Sequence, residues 1–584
     1  MTLLFVVFSI VFPLSEAILT LANWLFQSHR RFPLTCLLIS MFALVVATPV
    51  ASASEENQAA AGPIYVPLDS WVYPALRRLA ALGYVPDEEN LAAPWTRRHC
   101  AELVSEAQDI ASRYSTKVST GALNGEALKL IADLSKEFSR DHGTATEARV
   151  ESVYSQLLQI SGTPLRDSYH FGQTLVNDYG RPFEQGTNTV DGFSAFATAG
   201  RFSAYFRGEY QEAGGRGPVD QGVSELLGAL DGVPAQQATS TRSTSTFDPL
   251  EIYVGASVGP FDVTLGKQSL SWGPGEASQF SFSDNAEPFY SLRFSQQTPI
   301  VLPGPFRLLG RIRTQMIVGK LSGHLYPPRP LINAQKITFQ LSENLEIGFT
   351  RSAIFGGVGH SLTAKSIYES FFSTSSTGGT AYGSANDPGD RRSGFDFEWH
   401  LPGLRRAVTI YSDSLADDEP NPLDSPRRSA WGPGIYFPKL PMLNKLDLRL
   451  ETYSTWLYRG DEGGMFFYWN NQYKDAYTND QYLLGSWVGR DARAYIATST
   501  YWWSAKENLT GSYRQTKTGS NFLPGGGTQT DASIKGQWQL KPDLLASAFF
   551  QYERYFIPVL GGAKRDVSIG LQFVFYPTKW TVSQ

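Results

Sequence analysis

Cysteine is nearly absent from this chain: its 584 residues carry two, Cys36 and Cys100. Cys36 falls in an N-terminal stretch that reads as a cleaved signal. Cys100 would then stand alone, which excludes an internal disulfide and a cysteine-paired zinc site. Cys36 has Thr35 before it and Arg30 and Arg31 just upstream, a poor setting for lipidation. Histidine is scarce, at seven residues, and no His-Glu-x-x-His or Gly-x-Ser-x-Gly occurs. Gly266-Lys267-Gln268 lacks the Ser/Thr and the spaced upstream glycine of a phosphate loop. Together these absences leave no catalytic residue, metal ligand set or cofactor to name, and no enzyme is expected. A net charge of −5 gives no reason to expect a nucleic-acid partner. After residue 50 no apolar run reaches the roughly 18 residues of a membrane helix.

Aromatic residues make up 13% of the chain, alongside 53 glycines, a composition suited to strands joined by many turns. Two apolar stretches, 3–26 and 32–50, open the sequence. The second has the better export signal: His29, Arg30 and Arg31, an apolar core from 34 to 47, Pro49, then Ala51-Ser52-Ala53 as a cleavage site. Residues 1–53 therefore read as an extension plus signal peptide. Residues 54–145 read as a small helical domain. Asp69 or Ser70 can cap a helix that Gly83 stops, Thr96 can cap a second, and a third spans about 125–138.

From about 148 the period changes to two and is expected to stay so through 584. In Arg565–Pro577, Val567, Ile569, Leu571, Phe573 and Phe575 share one face, and Asp566, Ser568, Gly570 and Gln572 the other. Other stretches repeat this, with charges of both signs on the polar face: Phe202–Tyr210, Leu446–Glu451, Ser533–Leu540 and Leu544–Glu553. A wet lumen on one side and lipid on the other accounts for the pattern. The connections alternate in length. Counting back from the C-terminus, 540–543, 504–508, 439–444, 401–405 and 342–344 are short, whereas 519–529, 459–490, 412–428 and 356–391 are long, and the alternation is expected to continue through turns at 302–305 and 259–261. The expected fold is an all-β transmembrane barrel of about 18 antiparallel strands with a small N-terminal α-helical domain. An even count puts both barrel ends on the periplasmic side of an outer membrane.

Four stretches resemble the capsule assembly Wzi family: VPLDSWVYPALRRLAALGYV (66–85), NDYGRPFEQGTNTVDGFSA (177–195), GKQSLSWGPGEASQFSFSDNAEPF (266–289) and YTNDQYLLGSWVGRDA (477–492). The resemblance implies an 18-stranded outer-membrane barrel with a periplasmic helical bundle. It also implies a lectin-like role in holding capsular polysaccharide at the cell surface. A second likeness covers Asp69, Trp71, Tyr73, Pro74, Ala75, Leu79 and Gly83 with Thr96, Arg97 and Leu103, which look like one S-layer-homology repeat. That likeness implies a cell-wall polymer as partner; a plain helical plug beneath the barrel is the alternative. A porin-like sugar channel is the other reading, and lumen occlusion separates it from a plugged scaffold.

Sugar sites pair aromatic faces with amides, carboxylates and guanidinium groups. Loop 459–490 is dense in such groups, and Tyr468, Trp469, Tyr473 and Lys474 are its candidates. The same Tyr and Trp could instead belong to an interfacial belt. Two Trp-Gly-Pro-Gly turns put Trp272 and Trp431 near external strand ends, as belt residues or stacking platforms. Asp178, Arg181, Asn285 and Glu287, in the family-like stretches, either touch polymer or form salt bridges that hold the loops. The partners expected are capsular or other surface polysaccharide and outer-membrane lipid.

Overall fold

The computed structural model describes residues 61–583, apart from 87–89, 118–124, 140, 142–145, 238, 361, 373–388, 418–420, 458–463 and 578–580. The expected N-terminal extension and signal peptide, residues 1–53, lie outside the described residues.

Eighteen antiparallel strands close into one barrel. They are β1 (Glu147–Ile160), β2 (Gly186–Ala199), β3 (Phe202–Ala213), β4 (Thr244–Val258), β5 (Phe261–Gln268), β6 (Phe289–Gln296), β7 (Arg311–Lys320), β8 (Leu331–Ser342) and β9 (Leu345–Phe355), followed by β10 (Asp390–His400), β11 (Thr409–Asp417), β12 (Ser429–Phe437), β13 (Leu448–Ser454), β14 (Ala492–Trp502), β15 (Asn508–Thr518), β16 (Gly527–Lys541), β17 (Leu544–Ile557) and β18 (Gly562–Phe575). β1 pairs with both β2 and β18, which closes the ring and leaves no sheet edge.

The alternation works as a sorting rule. On β18, Ile569, Leu571 and Phe573 are exposed on the outer wall, whereas Asp566 and Ser568 are buried in the lumen. On β16 and β17 the exposed outer set is Ile534, Trp538, Phe550 and Tyr552. One end of the barrel carries mostly tight turns. At 259–260, Gly259 adopts φ +57 before Pro260, a two-residue hairpin that a side-chain-bearing residue would strain. The other end carries the long loops.

Three departures from strict alternation appear. Loop 214–243 contains a helix, α4 (Gln221–Asp231), capped by Asp220 and stopped by Gly232 at φ +68. Loop 356–389 contains a helix (Ala364–Phe372) against the outer wall. The connection 297–310 is longer than a tight turn; it folds back over the outer wall, where Leu302 packs with Ile312, Ile337 and Phe339. Period-two reading overlooks all three because their residues lie between strands.

The helical segment sits in the short-turn end of the barrel. Its helices are α1 (Val72–Ala81), α2 (Arg97–Lys117) and α3 (Gly125–Phe138). They share a core of Leu76, Leu79, Val104, Leu130, Leu134 and Phe138 with Trp502, Ala505 and Leu545 of the barrel. Thr96 caps α2 through the His99 N–H. Two buried arginines fasten the unit. Arg78 pairs with Glu126 and donates to the Asn444 carbonyl in a short turn. Arg97 meets Glu137 (2.9 Å), Asp141 (3.0 Å) and Glu151 (3.2 Å), tying α2 and α3 to β1.

Candidate functional site

At the long-loop end, two loops fold inward and meet in the lumen. Loop 269–288 runs down to the helical segment. There Ala92 and Ala93 pair as a short strand with Trp272 and Ser271, and Gly273 donates to the Leu91 carbonyl. Lumen carboxylates receive its backbone: Asp413 accepts from Phe280 N–H (2.6 Å), and Glu451 accepts from Glu276 (2.9 Å) and Ala277 (3.1 Å). Loop 464–491 lies across it. Tyr468 stacks on Tyr477 at 5.8 Å and donates its hydroxyl to the Phe280 carbonyl (2.7 Å). That hydroxyl also accepts the Ser486 N–H (3.0 Å). A Cβ at Gly485 would overlap the Phe280 carbonyl, so the two backbones meet only because that position is glycine. Trp487 donates to the Ala277 carbonyl (2.6 Å) and lies beneath the Arg514 guanidinium of the wall. Trp272, Phe280, Phe282, Tyr453, Phe467, Tyr468, Tyr477 and Trp487 form one buried aromatic plug.

A histidine knot ties this plug to its neighbours. His170, in loop 161–185, bonds Asp167 through Nδ1 (2.7 Å) and Asp231, at the end of α4, through Nε2 (3.0 Å). Arg490 reaches the same Asp231 (2.6 Å), and Phe522 stacks on the imidazole at 6.2 Å. Four loops meet at one ring. Burial opposes its protonation, but the two carboxylates outweigh burial and raise the His170 pKa to about 9. Nearby, burial and the Asp69 and Asp178 carboxylates push Asp284 up to about 7.

The sequence-named residues divide. Tyr468, Tyr473, Trp272 and Asn285 are buried. Trp272 is neither belt nor platform, since its ring meets Phe282 edge-on inside the lumen. Tyr468 offers no ring face to a ligand. Asn285 donates to the Leu483 carbonyl and holds the two inward loops together. Arg181 pairs with Asp178 and Glu209, and Lys267 with Glu287 and Asp248, the salt-bridge alternative for those three. Trp431 points outward on β12, as a belt residue would. Trp469 and Lys474 stay at the surface. The Trp469 indole donates to the Asp231 carbonyl (3.1 Å) and meets Phe466 edge-on, with Phe466 itself 41% exposed. Lys474 donates to the Gly232 carbonyl (2.6 Å). An aromatic and amide patch of Phe466, Trp469, Asn470 and Lys474 thus crowns the plug. Sequence reading missed the lumen anchors Asp413, Glu451 and Arg514 and the His170 knot. The signal for the first three was available, as charges on lumen-facing positions; for His170 there was none.

Between the two plugs lies a cavity of about 530 Å3. It runs from Trp71, Arg97 and Glu137 below to Asn177, Glu276 and Trp487 above. Among the described residues no group of His, Cys, Asp and Glu could hold a metal ion.

Comparison with known proteins agrees with this architecture. The solved structure of Wzi from Escherichia coli, titled an outer membrane protein involved in group 1 capsule assembly and a carbohydrate binding beta-barrel, aligns at TM-score 0.63 with 14% identity, over 88% of this chain and 99% of that one. OprD of Pseudomonas aeruginosa aligns at TM-score 0.39 and 8% identity, over 75% and 95%. An uncharacterised 55.8 kDa protein of the Klebsiella pneumoniae cps region is 28% identical over 167 residues. That match spans 28% of this chain and about a third, 32%, of the relative. The profile described as "Capsule assembly protein Wzi" matches residues 157–566, most of the barrel. The chain belongs to the capsule assembly protein Wzi family, barrels of the outer membrane.

Proposed function

We propose that this protein holds capsular polysaccharide at the cell surface through its external loops, as a binding scaffold and not as an enzyme or a sugar channel. The observation that carries the reading is the double closure of the lumen. The periplasmic helices fill one end, and the aromatic plug fills the other. A polymer arriving from outside meets the plug's outer face, where Phe466 and Trp469 offer apolar ring surface and Asn470 and Lys474 offer hydrogen-bond donors. Membership of the Wzi family supports the reading, as does the carbohydrate binding of the Escherichia coli barrel. The helical segment supports a plug more than a wall tether. Asp69 and Trp71, prominent in the S-layer-like pattern, are engaged by the barrel: Asp69 pairs with Arg207 (2.7 Å), and Trp71 lies beneath Lys506.

The test is binding of the host's own surface polysaccharide to the detergent-purified barrel. Wild type should bind saturably. A Phe466→Ala, Trp469→Ala double variant should fold as a heat-modifiable barrel and lose binding. Unchanged binding in that variant would remove the patch from the site; no binding by folded wild type would overturn the reading.

A further inference from the structure

The outer wall over β8–β10 changes character within one row of residues. Toward mid-membrane it is an aromatic and aliphatic stripe. Phe339, Phe349, Phe395 and Phe397 touch in sequence, at 6.3, 5.4 and 6.2 Å between rings, with Ile337 and Ile347 beside them. One row nearer the external end, the outward positions in register are Gln335, Arg351 and Ser393. The next row is Asn333, Ala353 and Arg391. That these side chains face outward follows from their neighbours. Lys336 and Asp396 pair inside the lumen, and Ser352 receives the Tyr477 hydroxyl of the plug. Arg351 and Arg391 are therefore diagonal neighbours on the lipid-facing wall, at the boundary between apolar and polar surface.

The helix of loop 356–389, α5 (Ala364–Phe372), lies over this boundary. Ser370 accepts from Asn333 Nδ2 (2.9 Å), and the Phe371 carbonyl accepts from Gln335 Nε2. Its other face shows Ile367, 41% exposed, and Tyr368, 58% exposed. A short helix with one face against a barrel and an apolar face outward suits headgroup depth. Beneath it, half-buried Arg351 keeps Nε and Nη2 without a hydrogen-bond partner among the described residues. Guanidinium on the lipid face is tolerated only near the interface, and the Arg351 group there calls for an anion.

We propose that Arg351 and Arg391, with Gln335 and α5, bind the phosphate of a glycolipid of the outer leaflet. The guanidinium fork takes phosphate oxygens, and the phenylalanine stripe below takes acyl chains. The site goes beyond the polysaccharide reading and stands without it. It would fix the barrel's depth and carry a lipid at the rim where the external loops begin.

The test is retention of lipid A on the purified full chain, measured by native mass spectrometry. Lipid A bearing its phosphates is compared with lipid A stripped of them. Wild type should retain the phosphorylated form roughly tenfold better or more. An Arg351→Gln, Arg391→Gln variant should lose that preference, and an Arg351→Lys, Arg391→Lys variant should keep much of it. Equal retention of both lipids by wild type would overturn the proposal, and so would an unchanged preference in a folded glutamine variant. Full displacement of the lipid by inorganic phosphate would reduce the site to a simple anion site and also overturn it. Should the glutamine variant fail to show heat-modifiable mobility, the lipid pair on wild type and the lysine variant decides.

Discussion

The two plugs of this barrel do the same job by opposite means. The helical plug is local in sequence. Three amphipathic helices build their own core, and buried arginines pin it to the strands. The external plug is assembled from distant pieces, in which Tyr468 seals itself against Phe280, 188 residues away. Its polar ties are mostly backbone groups met by side chains from elsewhere: lumen carboxylates, the Tyr468 hydroxyl, the Asn285 amide and the His170–Asp231–Arg490 cluster. The difference teaches that helical packing can supply closure from a short segment. Closure by loops requires glycines where backbones meet and carboxylates in the wall to receive N–H groups.

The largest expected effect lies in the helical plug. Arg97→Met would leave Glu137, Asp141 and Glu151 without their shared cation. Losing one partner of a buried ionic cluster costs about 3–5 kcal/mol. Fluorescence of Trp71 and Trp95, both buried in the core that the helices share, should report early unfolding of the helices, while the barrel keeps its heat-modifiable mobility.

The two plugs should also respond to opposite ends of the pH scale. The His170 pKa, raised to about 9 in the folded protein against 6.5 in the unfolded chain, means that its stabilisation is complete below 6.5 and is lost as pH rises through about 9. Its full size is about 3 kcal/mol. Glu137 behaves inversely. Burial disfavours its ionised form, but Arg97 outweighs burial and holds its pKa below the usual carboxylate value. That stabilisation is present above about 4.3 and is lost as pH falls through the lower folded value. Limited proteolysis should therefore cut the external loops first in alkali and the helices first in acid. His170→Gln should abolish the alkaline effect alone.

Tyr468→Phe is a smaller perturbation. It leaves the Phe280 carbonyl and the Ser486 N–H without their partner, at a cost of about 1–3 kcal/mol. Thermal unfolding should show the loss, and polysaccharide binding should persist because Tyr468 is buried. The smallest effect on stability is expected for Phe466→Ala, a surface change of about 0.5 kcal/mol or less. It should nonetheless weaken polysaccharide binding, and the pair Tyr468→Phe and Phe466→Ala thus separates plug from binding face.

The barrel was legible because its signal is periodic and repeated. One period-two stretch such as Val567–Phe575 is ambiguous, but eighteen of them separated by alternating short and long connections admit one closed sheet. α1 and α2 were legible from Gly83 and Thr96 at their ends, whereas the expected cap by Asp69 or Ser70 is not formed, since Trp71 stands at the N-cap of α1 with no side-chain cap. α4 carried equal signals in Asp220 and Gly232, and was overlooked because strands surround it. The site was much less legible. A tyrosine in a polar loop looks the same whether it stacks on a sugar or on Tyr477. Only the path of loop 269–288 through the lumen decides, and nothing near residue 468 encodes that path. Trp469, its neighbour, stayed at the surface for the same non-local reason.

Ion conductance of the purified full chain in planar bilayers tests the central claim most directly. Two plugs in series predict no steady open level, with conductance appearing only when the helices and loop 464–491 are both removed. A stable open level in the intact protein, blocked by added polysaccharide, would contradict the account and make the barrel a channel.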